Sequence, residues 1–323
     1  MKTSEKIINY VTQHKEVSAN ELTNYIGISS RSIFKQLANM LSSGKLIKLG
    51  TPPKVLYKIP VKVIISQNEY EIDNKIKKII EDNFLNISPL GEYIKGLSGF
   101  IKWCNERHLD VIKQTSQYFQ IINSINESRK NGVIDASSKF SNSFSETFLN
   151  KIFYIDFYSI PQFGKTKLGQ LLLYAKQSQD KKRISEISNL VINDILKVIK
   201  INKIDAVGFI PPTVKREVQF MRELEKNLKL PLPVIKLAKL KTEIIVPQKT
   251  LSKLTDRVIN ARNTIIVEEK RKFKNVLLID DAVGSGATLN ETARKLISNK
   301  NSGNIYGLAI IGSYKGFDVI SEV

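Results

Sequence analysis

The segment that most narrows what this chain can fold into is Asn275-Val-Leu-Leu-Ile-Asp-Asp-Ala-Val-Gly-Ser-Gly-Ala-Thr-Leu289. It opens on a short β-branched and Leu run, the kind a parallel sheet buries on both faces. Two carboxylates, Asp280 and Asp281, close that strand. A five-residue turn, Gly284-Ser-Gly-Ala-Thr288, leads into a helical pattern from Leu289 to Ser298, and a last strand is expected at Ile305 to Ile311. Upstream, helices near Leu168 to Lys176 and Arg183 to Lys200 precede a buried-strand run, Ala206 to Ile210. Pro211-Pro212, a helix near Val214 to Asn227, an apolar run at Pro233 to Leu237 and a polar stretch from Lys239 to Glu269 follow. Strands alternating with helices predict a doubly wound α/β domain with a parallel sheet.

In such folds ligands sit at the carboxyl ends of the strands. A Gly-rich turn into a helix N-terminus aims several backbone N–H groups at one spot, where the helix dipole adds partial positive charge. Ser285 and Thr288 can add hydroxyl donors. Residues Gly284, Ser285, Gly286, Ala287 and Thr288 therefore predict an anion site of phosphate size. Asp280 and Asp281 repel a phosphate, but they suit sugar hydroxyls, as acidic residues do in ribose recognition. A phosphate site and a diol site a sugar's width apart describe ribose 5-phosphate.

This arrangement resembles the phosphoribosyl pyrophosphate (PRPP) motif of type I phosphoribosyltransferases: a hydrophobic strand, two acids, then a short Ser/Thr-Gly-x-Thr loop. Gln248, Leu251-Ser252, Arg257, Asn260 and the run Thr264 to Val267 are similar to the segment before this motif in the ComF-like group. Asp205-Ala-Val-Gly-Phe-Ile-Pro-Pro-Thr-Val-Lys-Arg216 is similar to that group's strand, Pro-containing loop and basic residues. The resemblance covers residues 160 to 312 and departs mildly at Gly284-Ser285-Gly286, where the family often has Thr-Thr-Gly or Ala-Thr-Gly. It implies that Asp280 and Asp281 hold the ribose 2- and 3-hydroxyls, and that Gly284 to Thr288 cradle the 5-phosphate. It implies that Lys215 and Arg216 face pyrophosphate, and that Arg257 lies on a mobile loop closing over the site. Mg²⁺ would be held mainly through PRPP oxygens and water.

Other motifs carry less. A strand ending in Asp-Asp also opens receiver domains, but those need about 100 residues more, as a domain's size demands, and residues 282 to 323 fall short. Phe163-Gly-Lys-Thr166 looks like the end of a nucleotide-binding loop, but Ser159 stands where the loop's first Gly is required. Trp103, Cys104 and His108 share a helical pattern with no second Cys or paired His, so core packing is expected. His14 ends a helix and is expected to interact with its C-terminus. Tyr314 and Phe317 are candidates to stack on a base or to pack.

The net charge of +19 over 323 residues gains meaning from its distribution. No acid falls between Glu21 and Glu69, whereas Arg31, Lys35, Lys45, Lys48, Lys54, Lys58 and Lys62 do. Helices are expected at Ser4 to His14, from Ser18 with Glu21 completing a capping box, and from Ser29 or Ser30 to Gly44 with Ile33, Phe34, Leu37, Met40 and Leu41 apolar. Two short strands, Leu46 to Leu49 and Val55 to Ile59, are joined by a turn at Gly50-Thr-Pro-Pro53. This order resembles a winged helix-turn-helix. Arg31, Ser32, Lys35, Gln36 and Asn39 would then contact base or phosphate, with Lys48, Lys54 and Lys58 on backbone. Sequence-specific and nonspecific binding, and DNA and structured RNA, stay open, as does a protein-interaction role.

The expected domains are 1–62 (winged helix-turn-helix), 63–150 (helical middle segment) and 151–323 (phosphoribosyltransferase-like). Helices are expected in the middle segment at Asn74 to Phe84, Leu97 to Glu106 and Val111 to Ser128, and a loop at Asn131 to Ser145. One cysteine precludes an internal disulfide, and no stretch approaches the ~18 apolar residues of a membrane span. With no apolar signal core at the N-terminus, a cytoplasmic protein and a homo-oligomer are expected. Two functions remain. One is a phosphoribosyltransferase or related glycosidic-bond enzyme tethered to nucleic acid, in plan like the effectors beside retron reverse transcriptases in phage defence, with such a reverse transcriptase as partner. The other is a non-catalytic PRPP-sensing DNA-binding regulator, in plan like the purine repressors of Gram-positive bacteria.

Overall fold

The computed structural model describes residues 2–50, 52–59, 70–89, 91–240, 243–244 and 246–317, with Lys249 by its backbone only. Lys62, Thr51 of the expected turn and the boundary expected at 62 lie outside them. The chain divides into two compact units, Met1–Tyr70 and Glu71–Val323.

In the first unit, apolar residues at helical spacing make three helices: α1 (Thr3–His14), α2 (Ala19–Ile26) and α3 (Ser30–Ser42). Ser18 and Glu21 cap α2 reciprocally, at 2.5 Å and 3.2 Å. Gly27 ends it at φ +73°, a left-handed turn that glycine adopts without strain. Ser29 Oγ accepts from the Ser32 N–H and so is the cap of α3. β1 (Ile47–Leu49) and β2 (Leu56–Lys58) pair antiparallel, and Val17 bridges to Tyr57. Ile7, Val11, Leu22, Ile33, Leu37, Met40, Leu46 and Tyr57 form this unit's own core.

The second unit begins with α4 (Asn74–Asn83), β3 (Leu85–Ile87), β4 (Tyr93–Lys95), α5 (Gly96–Asn105) and α6 (Val111–Ser128). β5 (Arg129–Lys130), β6 (Val133–Asp135), α7 (Ser137–Ser141), β7 (Lys151–Phe157), β8 (Ser159–Ile160) and β9 (Gly164–Lys165) follow. Then come α8 (Lys167–Ser178), α9 (Lys181–Ile201), β10 (Ala206–Phe209), α10 (Phe220–Leu228), β11 (Val234–Ile235) and β12 (Leu237–Lys239). α11 (Leu254–Thr264), β13 (Ile265–Val267), β14 (Asn275–Val283), α12 (Ala287–Ser298) and β15 (Asn304–Gly312) complete it.

The unit is mixed α/β around a seven-stranded, mostly parallel sheet in the order β11-β10-β14-β15-β7-β6-β5. The first five strands run parallel; β6 and β5 add an antiparallel edge. Alternate residues of β7, β10, β14 and β15, such as Phe153, Val207, Leu277 and Leu308, share a core with α8, α9 and α10. On the opposite face, Leu289 of α12 approaches Gly307 beside Ile152 and Leu149. Both faces are thus covered, as strands with apolar residues at every position require.

Two expectations for the middle segment are corrected. Residues 71 to 150 belong to the same unit as the sheet and contribute β5 and β6 to it, rather than forming a separate helical linker. The stretch expected as a loop at Asn131 to Ser145 holds β6 and α7. The segment also supplies an aromatic cluster in which Phe100, Trp103 and Tyr118 meet Phe163 at ring separations of 5.0 to 6.0 Å. Cys104 is buried, in keeping with core packing. No helix among the described residues is long and apolar enough to cross a membrane.

Arg129 ties the antiparallel edge to β7. Its Nη2 donates to Asp156 at 2.8 Å and its Nη1 to the Ile155 carbonyl at 2.6 Å. Burial pushes the Asp156 carboxyl up, against the pull of Arg129. Arg129→Met should strand that carboxylate and cost about 3 kcal/mol near neutral pH, read as a lower urea midpoint by Trp103 fluorescence. A carboxyl whose folded pKa lies above its unfolded value is protonated at low pH, so the loss should shrink on acidification and grow as pH rises.

Candidate functional site

The chain leaves β10 towards β11 on one side and leaves β14 towards β15 on the other. The carboxyl ends of the adjacent strands β10 and β14 therefore flank a topological switch point, where open α/β sheets place ligands. A cavity of about 370 Å³ opens there. Its floor is Asp280 to Leu289 and one wall is Ile210 to Val214. α8 contributes Leu172, Leu173 and Lys176, and Ser313 closes the β15 end.

The β14-to-α12 junction turns on Gly286. Its φ of +77° is open to glycine, and a Cβ there would lie 2.6 Å from the Phe140 ring and 3.2 Å from Phe317. The first backbone bond back to Gly286 comes from Asn290, and no side chain caps α12. The amides of Ala287, Thr288 and Leu289 thus have no partner within the helix. Among the described residues only Ala287 finds a side-chain acceptor, Ser285 Oγ at 3.4 Å.

Asp280 and Asp281 line the same cavity. The Asp281 N–H donates to Asp280 Oδ1 at 2.8 Å, and Lys176 Nζ pairs with Asp281 at 2.9 Å. Burial and the Asp281 charge push the Asp280 carboxyl up to about 7, while its own bond from the Asp281 amide, Lys176 and Lys239 pull it down. Lys239, at the end of β12, donates to Thr213 Oγ1 at 2.7 Å; burial lowers its pKa and Asp280 opposes that.

Of the predicted site residues, Asp280, Asp281, Gly284, Ser285, Gly286, Ala287, Thr288, Arg216 and Arg257 line the cavity; Lys215 is exposed and does not. Arg216 donates to the Lys176 carbonyl, and Val218 N–H to Gln179 Oε1 at 2.9 Å. These bonds hold 214–219 as a loop, so α10 starts at Phe220 rather than Val214. Arg257 was expected on a mobile loop. It lies in α11 and is buried, with Nε on the Leu251 carbonyl at 2.7 Å, and burial lowers its pKa. Gln248 Nε2 donates to the Arg257 carbonyl at 3.0 Å and to Asn260 Oδ1 at 3.1 Å. The Gln, Leu, Arg and Asn singled out in the sequence therefore form one network on the cavity's rim. Lys176 and Lys239 were not foreseen; nothing in the sequence distinguishes them from the other lysines. Phe317 packs on Phe140 and Tyr154, whereas Tyr314 is exposed against Phe157.

In the first unit, Arg31, Ser32, Lys35 and Asn39 are exposed on α3, and Gln36 is half-buried. Lys48 and Lys54 are exposed. Two expectations fail here. Lys58, expected to lie against a nucleic-acid backbone, is buried. Phe34, expected in the core, is 53% exposed, since α3 turns Ile33, Leu37 and Met40 inward instead.

No protein-family model matches the sequence, and no curated protein matches it. Among solved structures the chain is similar to a hypoxanthine phosphoribosyltransferase from Staphylococcus aureus, at 18% identity and a TM-score of 0.26, over 42% of this chain. It spans 66% of that structure, just under two thirds of its length.

Two substitutions separate the junction's backbone from its chemistry. Gly286→Ala should cost roughly 2–4 kcal/mol, from a left-handed non-Gly residue and the overlap with Phe140. Gly284→Ala meets only an Arg257 nitrogen at 3.5 Å and should change thermal stability little. Asp280→Asn tests the raised carboxyl. Below about 4 the folded and unfolded carboxyls are both protonated; between about 4 and about 7 the unfolded chain has lost the proton that the fold retains, so the stability held at low pH falls across that interval and is gone above about 7. Asp280→Asn should therefore melt level with the parent at pH ~4, draw above it as pH rises, and stand a few degrees above it at pH ~8. A constant offset across pH would remove the burial argument.

Proposed function

We propose that this protein binds PRPP at the β14-to-α12 junction and acts as a phosphoribosyltransferase or related glycosidic-bond enzyme, tethered to nucleic acid by its N-terminal unit. The observation that carries the reading is the juxtaposition of two carboxylates and a set of helix-start amides with no partner inside the helix, in one cavity at the sheet's switch point.

Each part of the ligand has a chemical counterpart. The amides of Ala287 to Leu289, with Ser285 and Thr288 hydroxyls, suit the 5-phosphate. Asp280 and Asp281 accept from the ribose hydroxyls once Asp280 is ionised. Arg216, Lys176 and Lys239 supply the positive charge that pyrophosphate needs, in place of the pair Lys215 and Arg216 named from the sequence. Arg257 reaches Gly284 from α11 and serves as a fixed wall of the phosphate loop. Among the described residues no cluster of three or more His, Cys, Asp or Glu is placed to hold a metal. Two adjacent carboxylates fit Mg²⁺ that takes its other ligands from PRPP and water, where it would offset pyrophosphate charge. Displacement at ribose C1 through an oxocarbenium-like state then depends on positioning and on stabilising the departing pyrophosphate.

The N-terminal unit supports a winged-helix reading by its order, three helices then an antiparallel pair, and by the exposed cationic face of α3. In this reading the tether localises a nucleotide-consuming activity, as an antiviral effector would need. Non-catalytic PRPP sensing by a DNA-binding regulator is the second reading, favoured by an N-terminal unit with a core of its own.

Titration calorimetry with PRPP and Mg²⁺ should show binding to the parent, and at least tenfold weaker binding to Asp280→Ala and Asp281→Ala. Equal affinity in all three would sink the assignment. Mass spectrometry after incubation with PRPP and a panel of bases should find a ribosylated product. Binding without turnover, with PRPP altering DNA affinity, would select the regulator instead.

A further inference from the structure

α3 buries Ile33, Leu37 and Met40 and presents its other side to solvent. On that side Phe34 stands 53% exposed. Its neighbours at helical spacing are Arg31, three residues back, and Ala38, four on; Lys35 adjoins it. α3 contains no Asp or Glu, and the sequence has none from residue 22 to 68.

A single exposed apolar side chain is ordinary. A ring set in a cationic, acid-free helix face is a different case, because whatever neutralises the charge also decides what the ring meets. The complementary partner is a polyanion with an apolar group on a surface that a helix can reach. B-form DNA offers this in its major groove, where the thymine C5 methyl is an apolar feature on the base edges. RNA does not, since uracil lacks the methyl and the A-form major groove is too deep and narrow for side chains to read.

We infer that α3 binds double-stranded DNA with Phe34 packed against a thymine methyl, making Phe34 a residue that sets sequence preference. Arg31 and Lys35 hold phosphates on either side, and Ala38 leaves room for the ring to lie flat on the base edge. The inference rests on the nucleic-acid reading of the N-terminal unit and adds to it the polymer, the groove and a base. It also makes the surface location of Phe34 functional: an inward ring would leave this face with charge but no means of telling thymine from cytosine by shape.

The full-length protein is used throughout. A preferred duplex is selected from a random pool, and its affinity is followed by fluorescence anisotropy while each thymine is replaced in turn by deoxyuridine. At one position the replacement should weaken the parent about fourfold, the effect of one buried methyl group. Phe34→Ala should lose a similar factor on the thymine duplex and be indifferent to deoxyuridine there. Its melting temperature should be unchanged, because the ring is exposed. Arg31→Ala with Lys35→Ala should flatten the salt dependence without changing the thymine preference. If the parent binds no duplex DNA, the nucleic-acid reading itself falls. If it binds with no sequence preference, or with deoxyuridine and Phe34→Ala both neutral, that reading stands and the role of Phe34 falls. If Phe34→Ala leaves DNA binding intact but turns a dimer into a monomer in sedimentation velocity, Phe34 is a protein contact and the inference is overturned.

Discussion

The turn at Gly286 is the constraint on which the candidate site depends. It converts the direction of β14 into that of α12 within three residues, at a backbone angle that side chains rarely adopt. Phe140 and Phe317 press against that turn from two separate parts of the chain. Because the aromatic rings occupy the place of a Cβ, position 286 accepts no larger residue unless they shift. The amides at the start of α12 are thereby fixed in direction before any ligand arrives, which is the condition for electrostatic preorganisation.

Around that turn the charges balance unevenly. Two carboxylates sit side by side, with Lys176 on one of them and Lys239 near the other. Asp280 is left with a raised affinity for a proton, and Lys239 with a weakened one. Burial is the main cause of both, with the Asp281 charge adding to the first. A ligand bringing hydroxyls to the acids and negative charge to the lysines would relieve both, and a ligand carrying only one of the two would not. On the rim, Gln248 ties the Arg257 carbonyl to Asn260, and Arg257 Nε donates to the Leu251 carbonyl.

Much of this was legible in residue order. The β14 strand, the two acids and the Gly-rich helix start announce themselves because they are contiguous, and their chemistry is local. The helices α8, α9, α10 and α12 and the helices α4 to α6 follow from apolar spacing, whereas α11 falls in what reads as a polar stretch from Lys239 to Glu269. α3 shows where spacing runs out: Phe34 has the same hydrophobicity as Ile33 and lies one residue away, so only the partners of α3 decide which of them is buried. β5, β6 and β7 were hidden for a related reason. Lys151 to Phe157 is a strand because β15 and β6 flank it, which no local spacing reveals.

By itself, then, the sequence determined what depends on neighbours along the chain: a Gly-rich strand-to-helix loop, a pair of acids before it, and a cationic helix with no acid nearby. The tertiary structure decided what depends on residues far apart. It brought Lys176 and Lys239 to the acids, left Lys215 outside, seated Arg257 in a helix, buried Lys58 and exposed Phe34. The physical reason is that charge, aromaticity and helical periodicity are properties of a residue and its few neighbours. Burial, ion pairing and access to a cavity are instead properties of which distant segments a fold places side by side.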